Sequence, residues 1–220
     1  MFSNYCVIFD MDGVLIDSGS LHFESWVKIA KEMGVKFSKK FFEQVFGQQS
    51  TTIIRKLVGS KVDQILVEQW AILKENHYRE IARNKLEPLP GVIRILSELK
   101  RIGFKLAVGS SGPPENVALT LNTLNITKYF DTIITAAEVE KGKPEPDVFL
   151  IAAKNLKIKP KNCLVIEDAP VGIEAAKRAG MLSVALTTTH SKKELFGARL
   201  IIRDLSVITI TEIIKLFNIN

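Results

Sequence analysis

The chain is short of most features that would fix its class at a glance. Only two of its 220 residues are cysteine and three are histidine. Cys6 and Cys163 each stand in a short apolar run with no CxxC neighbour, so they read as reduced, buried thiols acting as small hydrophobes rather than as a disulfide framework or a metal site. No apolar run approaches the roughly 18 residues that a membrane span needs. The first ten residues, MFSNYCVIFD, lack the basic stretch of a signal peptide, and their apolar segment ends in an acidic motif. The expected location is cytoplasmic. There is no internal repeat and no low-complexity tract. Basic residues outnumber acidic ones, giving a net charge of +6, but they are dispersed. The densest stretch, 154–161, alternates with apolar and polar residues. No basic–aromatic platform is visible, so nucleic acid is not an expected partner, whereas mild attraction of an anionic metabolite suits the charge.

What remains is an ordinary globular composition, 46% hydrophobic and 25% charged, long enough to bury a core. Residues 5–9 (YCVIF) form a short apolar run of the strand kind. Residues 21–85 then carry apolar positions at helical spacing, such as Phe23, Trp26, Val27 and Ala30, and almost no strand signal. Glu87-Pro88-Leu89-Pro90-Gly91 breaks any helix. Beyond it helix and strand alternate: helix 92–101, strand 104–108, helix 115–124, a short strand within 131–135, helix 147–155, strand 163–166, helix 171–179 and strand 182–186. This alternation predicts parallel βαβ units in an α/β, Rossmann-like, doubly wound sheet covered on both faces. The helical stretch reads as an insertion after the first strand. Residues 1–17 and 88–220 would form a catalytic core, and residues 18–87 an α-helical cap able to close over it.

In open α/β sheets ligands bind beyond the carboxyl ends of the strands. Asp10 follows the first predicted strand, with Asp12 two residues later. Ser110 and Ser111 follow the second, Lys143 lies in the loop after the third, and Glu167 and Asp168 follow the fourth. Singly each has a plain reading: Asp12-Gly13 is a turn, Ser110-Ser111-Gly112 a helix start, and Glu167-Asp168 a charge pair at a helix N-terminus. Taken together they set carboxylates, hydroxyls and a lysine on one rim, which suits a phosphate–magnesium site. Mg²⁺ prefers oxygen ligands, and Asp10 and Asp168 could share one ion. A carboxylate can attack phosphorus to give an aspartyl-phosphate. Lys143 would offset phosphate charge, and Ser110 would hydrogen-bond a phosphoryl oxygen. Asp12, returning to the same side as Asp10, could act as general acid and base, worth ~10²–10⁴-fold.

The segments FDMDGVLIDS, VGSSG, KGKPEPDVF and VIEDAPVGIEAAKRAGM resemble the four motifs of the haloacid dehalogenase superfamily and span nearly the whole chain. The resemblance implies a Rossmann-like core with a helical cap, a phosphoaspartate on Asp10, and Mg²⁺ held by Asp10, Asp168 and the Asp12 backbone carbonyl, with Glu167 completing the acidic pair. It implies phosphate binding by Ser110, Ser111 and Lys143. The sequence is most similar to the branch of β-phosphoglucomutases and small sugar-phosphate phosphatases. There the stretch SGSLHFESW places His22 near the hinge, and Lys74 falls where the mutases carry a substrate-contacting lysine. After Gly47 the mutases carry an arginine for a second phosphate. Here the loop reads Gln48-Gln49-Ser50, and the nearest arginine is Arg55.

The expected activity is therefore Mg²⁺-dependent hydrolysis of a small phosphate monoester, a sugar or polyol phosphate, with β-phosphoglucomutase action as the alternative. A metal-free dehalogenase has no use for Asp12, and a phospho-acceptor switch has none for a long lid. His77 and His190 read as incidental. The expected partner is a small phosphorylated metabolite, with no nucleic acid and no membrane, for a monomer or small homo-oligomer.

Overall fold

A computed structural model describes residues 2–217. In chain order, β1 (Cys6–Phe9) is followed by four helices, α1 (Gly19–Glu32), α2 (Lys39–Val45), α3 (Ser50–Val58) and α4 (Gln64–Ala82). The alternating part then runs α5 (Val92–Ile102), β2 (Lys105–Gly109), α6 (Pro114–Thr123), β3 (Thr132–Ile134), α7 (Asp147–Leu156), β4 (Cys163–Glu167), α8 (Pro170–Arg178), β5 (Leu182–Leu186), β6 (Leu200–Ile202) and α9 (Ile210–Leu216). Among the described residues the six strands form one parallel sheet in the order β3-β2-β1-β4-β5-β6.

Every residue of β1 and β4 is buried. These strands show no alternation because helices cover both faces of a parallel sheet. Val7, Phe9, Leu164 and Ile166 pack with Ile95 and Leu99 of α5, and with residues of α6 and α9. Cys6, Ile8, Cys163 and Val165 pack on the other face with Phe149 of α7 and Ala176 of α8. Cys6 and Cys163 are free thiols in register on neighbouring strands, with their Sγ atoms 2.9 Å apart. They are buried, as the sequence suggests. Their proximity comes from the strand register.

The helical stretch 19–82 breaks where the sequence supplies caps: the Ser38 hydroxyl accepts from the Phe41 N–H, and the Asp63 carboxylate from the Ile65 N–H. It buries an apolar cluster of its own around Trp26, Ile29, Phe42, Ile54 and Val67. Leu21, Tyr78 and Ala82, at the ends of α1 and α4, join the sheet-side cluster instead. The segments entering and leaving this stretch run side by side. The Leu89 N–H donates to the Leu15 carbonyl at 3.0 Å, and Ile16 bridges to Pro88. Among the described residues, no helix is long and apolar enough to cross a membrane.

The edge strand β6 and the helix α9 go beyond the elements expected from sequence. β6 is three half-buried residues, LII, too short for alternation to be read. α9 follows a capping box in which Thr209 and Glu212 satisfy each other's backbone N–H groups.

Candidate active site

Register brings the strand ends level. Phe9 of β1 pairs with Val108 of β2 and with Ile166 of β4, and the Asp10 N–H donates to the Ile166 carbonyl at 3.0 Å. Asp10, Ser110, Glu167 and Asp168 therefore gather at one rim, all buried. Lys143 reaches in from the loop after β3. Its Nζ lies 2.6 Å from Asp10 Oδ1 and 2.6 Å from Glu167 Oε1. The other Glu167 oxygen accepts from the Asp168 and Ala169 backbone N–H groups at 2.8 and 2.9 Å. Asp10, Glu167 and Asp168 each offer an oxygen within 4.8 Å of the others. Two glycines make this density possible. Gly13, at φ +76°, lies against the Asp168 carboxylate, and Gly172 against that of Glu167. A Cβ at either position would collide with those oxygens.

The electrostatics show an excess of negative charge. Burial pushes the Asp10 carboxyl up to about 7; Lys143 pulls it down, while Glu167 and Asp12 push it further up. Asp168 is raised well above the ordinary value, by burial first and then by Glu167 and Asp10. Burial disfavours the charged form of Lys143, but Asp10 and Glu167 more than restore it, and its pKa lies above the ordinary lysine value. One ammonium thus faces three desolvated carboxylates. The donor set is all oxygen, drawn from two strands, and it fits a hard divalent cation. Asp10 and Asp168 can each offer one oxygen to it, because Lys143 engages Oδ1 of Asp10 and Thr189 engages Oδ2 of Asp168, whereas Lys143 and the backbone take up both oxygens of Glu167.

The Asp12 carboxylate does not join the group of three. A tight turn, with Gly13 N–H donating to the Ile16 carbonyl at 2.8 Å and Leu15 N–H to the Met11 carbonyl at 2.8 Å, turns it toward the start of α1. There it accepts from the Ser18 hydroxyl and lies 3.3 Å from His22 Nε2. Burial raises its pKa, but the His22 imidazole and the Ser18 hydroxyl more than offset that, and Asp12 is held below the ordinary carboxylate range. Lys74, which can only donate, lies 2.8 Å from His22 Nδ1, so Nε2 bears the proton that faces Asp12.

A cavity of about 540 Å³ opens between this rim and the helical stretch. Asp10, Asp12 and Ser111 line one side, and Gly47, Lys74 and Glu75 the other. The Ser110 hydroxyl sits just beneath, accepting from the Gly112 N–H at 3.0 Å. The structure thus brings Asp10, Ser110, Lys143, Glu167 and Asp168 together. It also places His22 and Lys74 in contact with each other beside Asp12. Sequence reasoning overlooked Thr188 and Thr189, which follow β5. Thr189 donates to the Asp168 carboxylate, and Thr188 to the Gly13 carbonyl at 2.6 Å. The strand-end rule, applied once more, would have found them. His190, read as incidental, has its Nδ1 3.1 Å from the Asp168 carbonyl. His77, away from the cavity and half-buried, has its Nε2 2.9 Å from Glu32. Glu75, Asn116 and Arg79 around the cavity carried no sequence signal, and Ser50 stood out only as part of the loop after Gly47.

A family model described as haloacid dehalogenase-like hydrolase matches residues 7–186. The chain is 34% identical over 211 residues to beta-phosphoglucomutase of Bacillus subtilis (strain 168), covering 93% of this chain and 91% of that one. It is 31% identical over 205 residues to validoxylamine A 7'-phosphate phosphatase of Streptomyces hygroscopicus subsp. limoneus, covering 90% and 93%. The crystal structure of beta-phosphoglucomutase from Clostridium difficile matches with a TM-score of 0.89 at 29% identity, covering 97% of each chain.

Proposed function

Since the chain belongs to the haloacid dehalogenase-like hydrolase family of enzymes, we propose that it is a Mg²⁺-dependent phosphatase of small sugar or polyol monophosphates that works through an aspartyl-phosphate on Asp10. The observation that carries this reading is Asp10 itself. It lies at the end of β1, one of the two middle strands of the sheet, lines the cavity, and has the Lys143 ammonium at 2.6 Å and a carboxylate oxygen of Asp168 within 4.8 Å.

Asp10 attacks phosphorus, and the bond from phosphorus to the substrate oxygen breaks. Asp12 gives that oxygen a proton. Water then attacks the aspartyl-phosphate, loses a proton to Asp12 and releases phosphate. Asp12 is held ionised in the free protein, and a phosphate dianion beside it raises its proton affinity by like-charge repulsion. Lys143 and the Ser110 and Ser111 groups hold phosphoryl oxygens, while Glu167 fixes Lys143 in place. Asp10 and Asp168, with the Asp12 backbone carbonyl, would hold Mg²⁺, which would supply the charge neutralisation that lets a carboxylate approach a phosphate dianion. His22 and Lys74 orient Asp12. Residues 18–87 act as the cap, hinged on the paired segments at Ile16 and Pro88.

Hydrolysis is favoured over mutase action by the loop after Gly47. Gln48, Gln49 and Ser50 line the cavity without an arginine. Arg55 is turned away, its guanidinium donating to the Val62 carbonyl and to Gln64 Oε1. A bidentate partner for a second phosphate is missing from that loop. The test supplies β-glucose 1-phosphate with a trace of the 1,6-bisphosphate and Mg²⁺, and follows both products. Inorganic phosphate should dominate. Glucose 6-phosphate forming faster would replace this reading by a mutase.

A further inference from the structure

The wall of the cavity facing the carboxylate rim carries an ion pair of its own. Lys74 and Glu75 are consecutive on α4, yet both are buried, with Lys74 Nζ 3.0 Å from Glu75 Oε1. Neighbours on a helix do not ordinarily face each other. Here Glu75 is held in place from three directions. Ser50 and Lys74 donate to Oε1, and the Asn116 amide on α6 donates to Oε2 at 2.6 Å. Asn116 in turn accepts from Arg79 at 2.8 Å, so α4 grips both ends of a single amide on the sheet side. Apart from Asp10 and Asp12, the Lys, Arg, Asp and Glu residues lining the cavity are Lys74, Arg79, Glu75 and Glu115, two of each sign.

We propose that Glu75 tunes the substrate class of this cavity: by holding the Lys74 ammonium it leaves the half-buried Arg79, whose guanidinium is bound to two amide oxygens, as the one cation of the wall without a carboxylate partner, and so biases the site toward monophosphates of neutral, hydroxylated compounds over bisphosphates. This rests on the phosphatase reading above. A desolvated ammonium binds phosphate as a point charge only while that charge is uncommitted. A carboxylate at 3.0 Å both neutralises it and repels an incoming dianion. Glu75, Asn116 and Lys74 also present acceptors and donors of the kind that select hydroxyl groups.

The test compares wild type, Glu75→Gln and Lys74→Gln, all with saturating Mg²⁺. For each protein kcat/KM for phosphate release is measured on glucose 6-phosphate and on glucose 1,6-bisphosphate. The ratio is taken within each protein, so that a general loss of activity cancels. Glu75→Gln keeps the side chain's shape, frees Lys74, and should raise the bisphosphate-to-monophosphate ratio about tenfold or more. Lys74→Gln leaves Glu75 unopposed and should lower it by a similar factor. Should Glu75→Gln fail to fold, the fall in Lys74→Gln decides alone. Ratios that stay at the wild-type value, or that move in the same direction in both variants, overturn the proposal. Hydrolysis of p-nitrophenyl phosphate by wild type separates the two readings. No turnover there sinks the phosphatase itself, whereas turnover with unchanged ratios sinks only the role of Glu75.

Discussion

The surroundings of Asp10 disfavour its charged form, so Asp10→Asn should make the metal-free fold firmer above neutral pH while it removes activity. The carboxyl rises from 3.8 to about 7 on folding, chiefly because it is buried. A group raised in this way contributes stability that is complete below its unfolded value and is lost as pH climbs through the folded one. The gap between 3.8 and about 7, at about 1.4 kcal/mol per pH unit, comes to about 4 kcal/mol by pH 7.5. At pH 5 only about 2 kcal/mol of that loss has accrued. Asparagine does not titrate, so the variant's advantage should grow across the same window. A chain of this size gains roughly 2–4 °C in Tm per kcal/mol, which puts the expected rise on the order of 10 °C at pH 7.5. The assay is thermal and urea unfolding of both proteins in EDTA, at pH 5 and pH 7.5. Adding Mg²⁺ should then raise the wild type more than the variant, because the substitution removes one of the charges that the cation offsets. An Asp10→Asn protein no more stable than wild type at pH 7.5 in EDTA, or one with a larger advantage at pH 5, would refute the reasoning.

Three further substitutions probe the remaining parts. Asp12→Asn should lower kcat on a sugar phosphate by ~10²–10⁴-fold, and by less on p-nitrophenyl phosphate, whose leaving group needs little protonation; equal losses on both would argue against an acid role. Lys143→Met removes the ammonium between Asp10 and Glu167 and should destabilise the protein by about 3–5 kcal/mol in urea unfolding; an unchanged midpoint would show that the carboxylates find other relief. Gly172→Ala drives a Cβ into the Glu167 carboxylate and should cost about 1–3 kcal/mol together with most of the Mg²⁺-dependent activity; a neutral result would mean that Glu167 can move without disturbing Lys143.

The core sheet was legible because its strands are short apolar runs cut off by chemistry-bearing residues. Asp10, Ser110 and Glu167-Asp168 mark where β1, β2 and β4 stop, and the parallel arrangement puts those ends on one side. Thr189 could have been found by the same rule after β5. The partners across the cavity could not. Glu75 meets Asn116 only because α4 and α6 pack together, and nothing in either helix's periodicity announces a contact 41 residues apart in sequence. The direction of the Asp12 side chain was hidden for a related reason. Spacing allows it to return beside Asp10, but the turn closed by Gly13 and Ile16 aims it at Ser18 and His22. β6 escaped because three residues at a sheet edge carry too little pattern.

The central claim is that Asp10 carries the phosphoryl group in transit. The most direct measurement is acid quenching of the enzyme during turnover of a sugar phosphate with Mg²⁺, followed by peptide mass spectrometry. The account predicts a transient addition of one phosphoryl group on the peptide containing Asp10, absent without Mg²⁺ and absent from Asp10→Asn. Steady turnover with no such adduct, or undiminished turnover by a clean Asp10→Asn preparation, would contradict it.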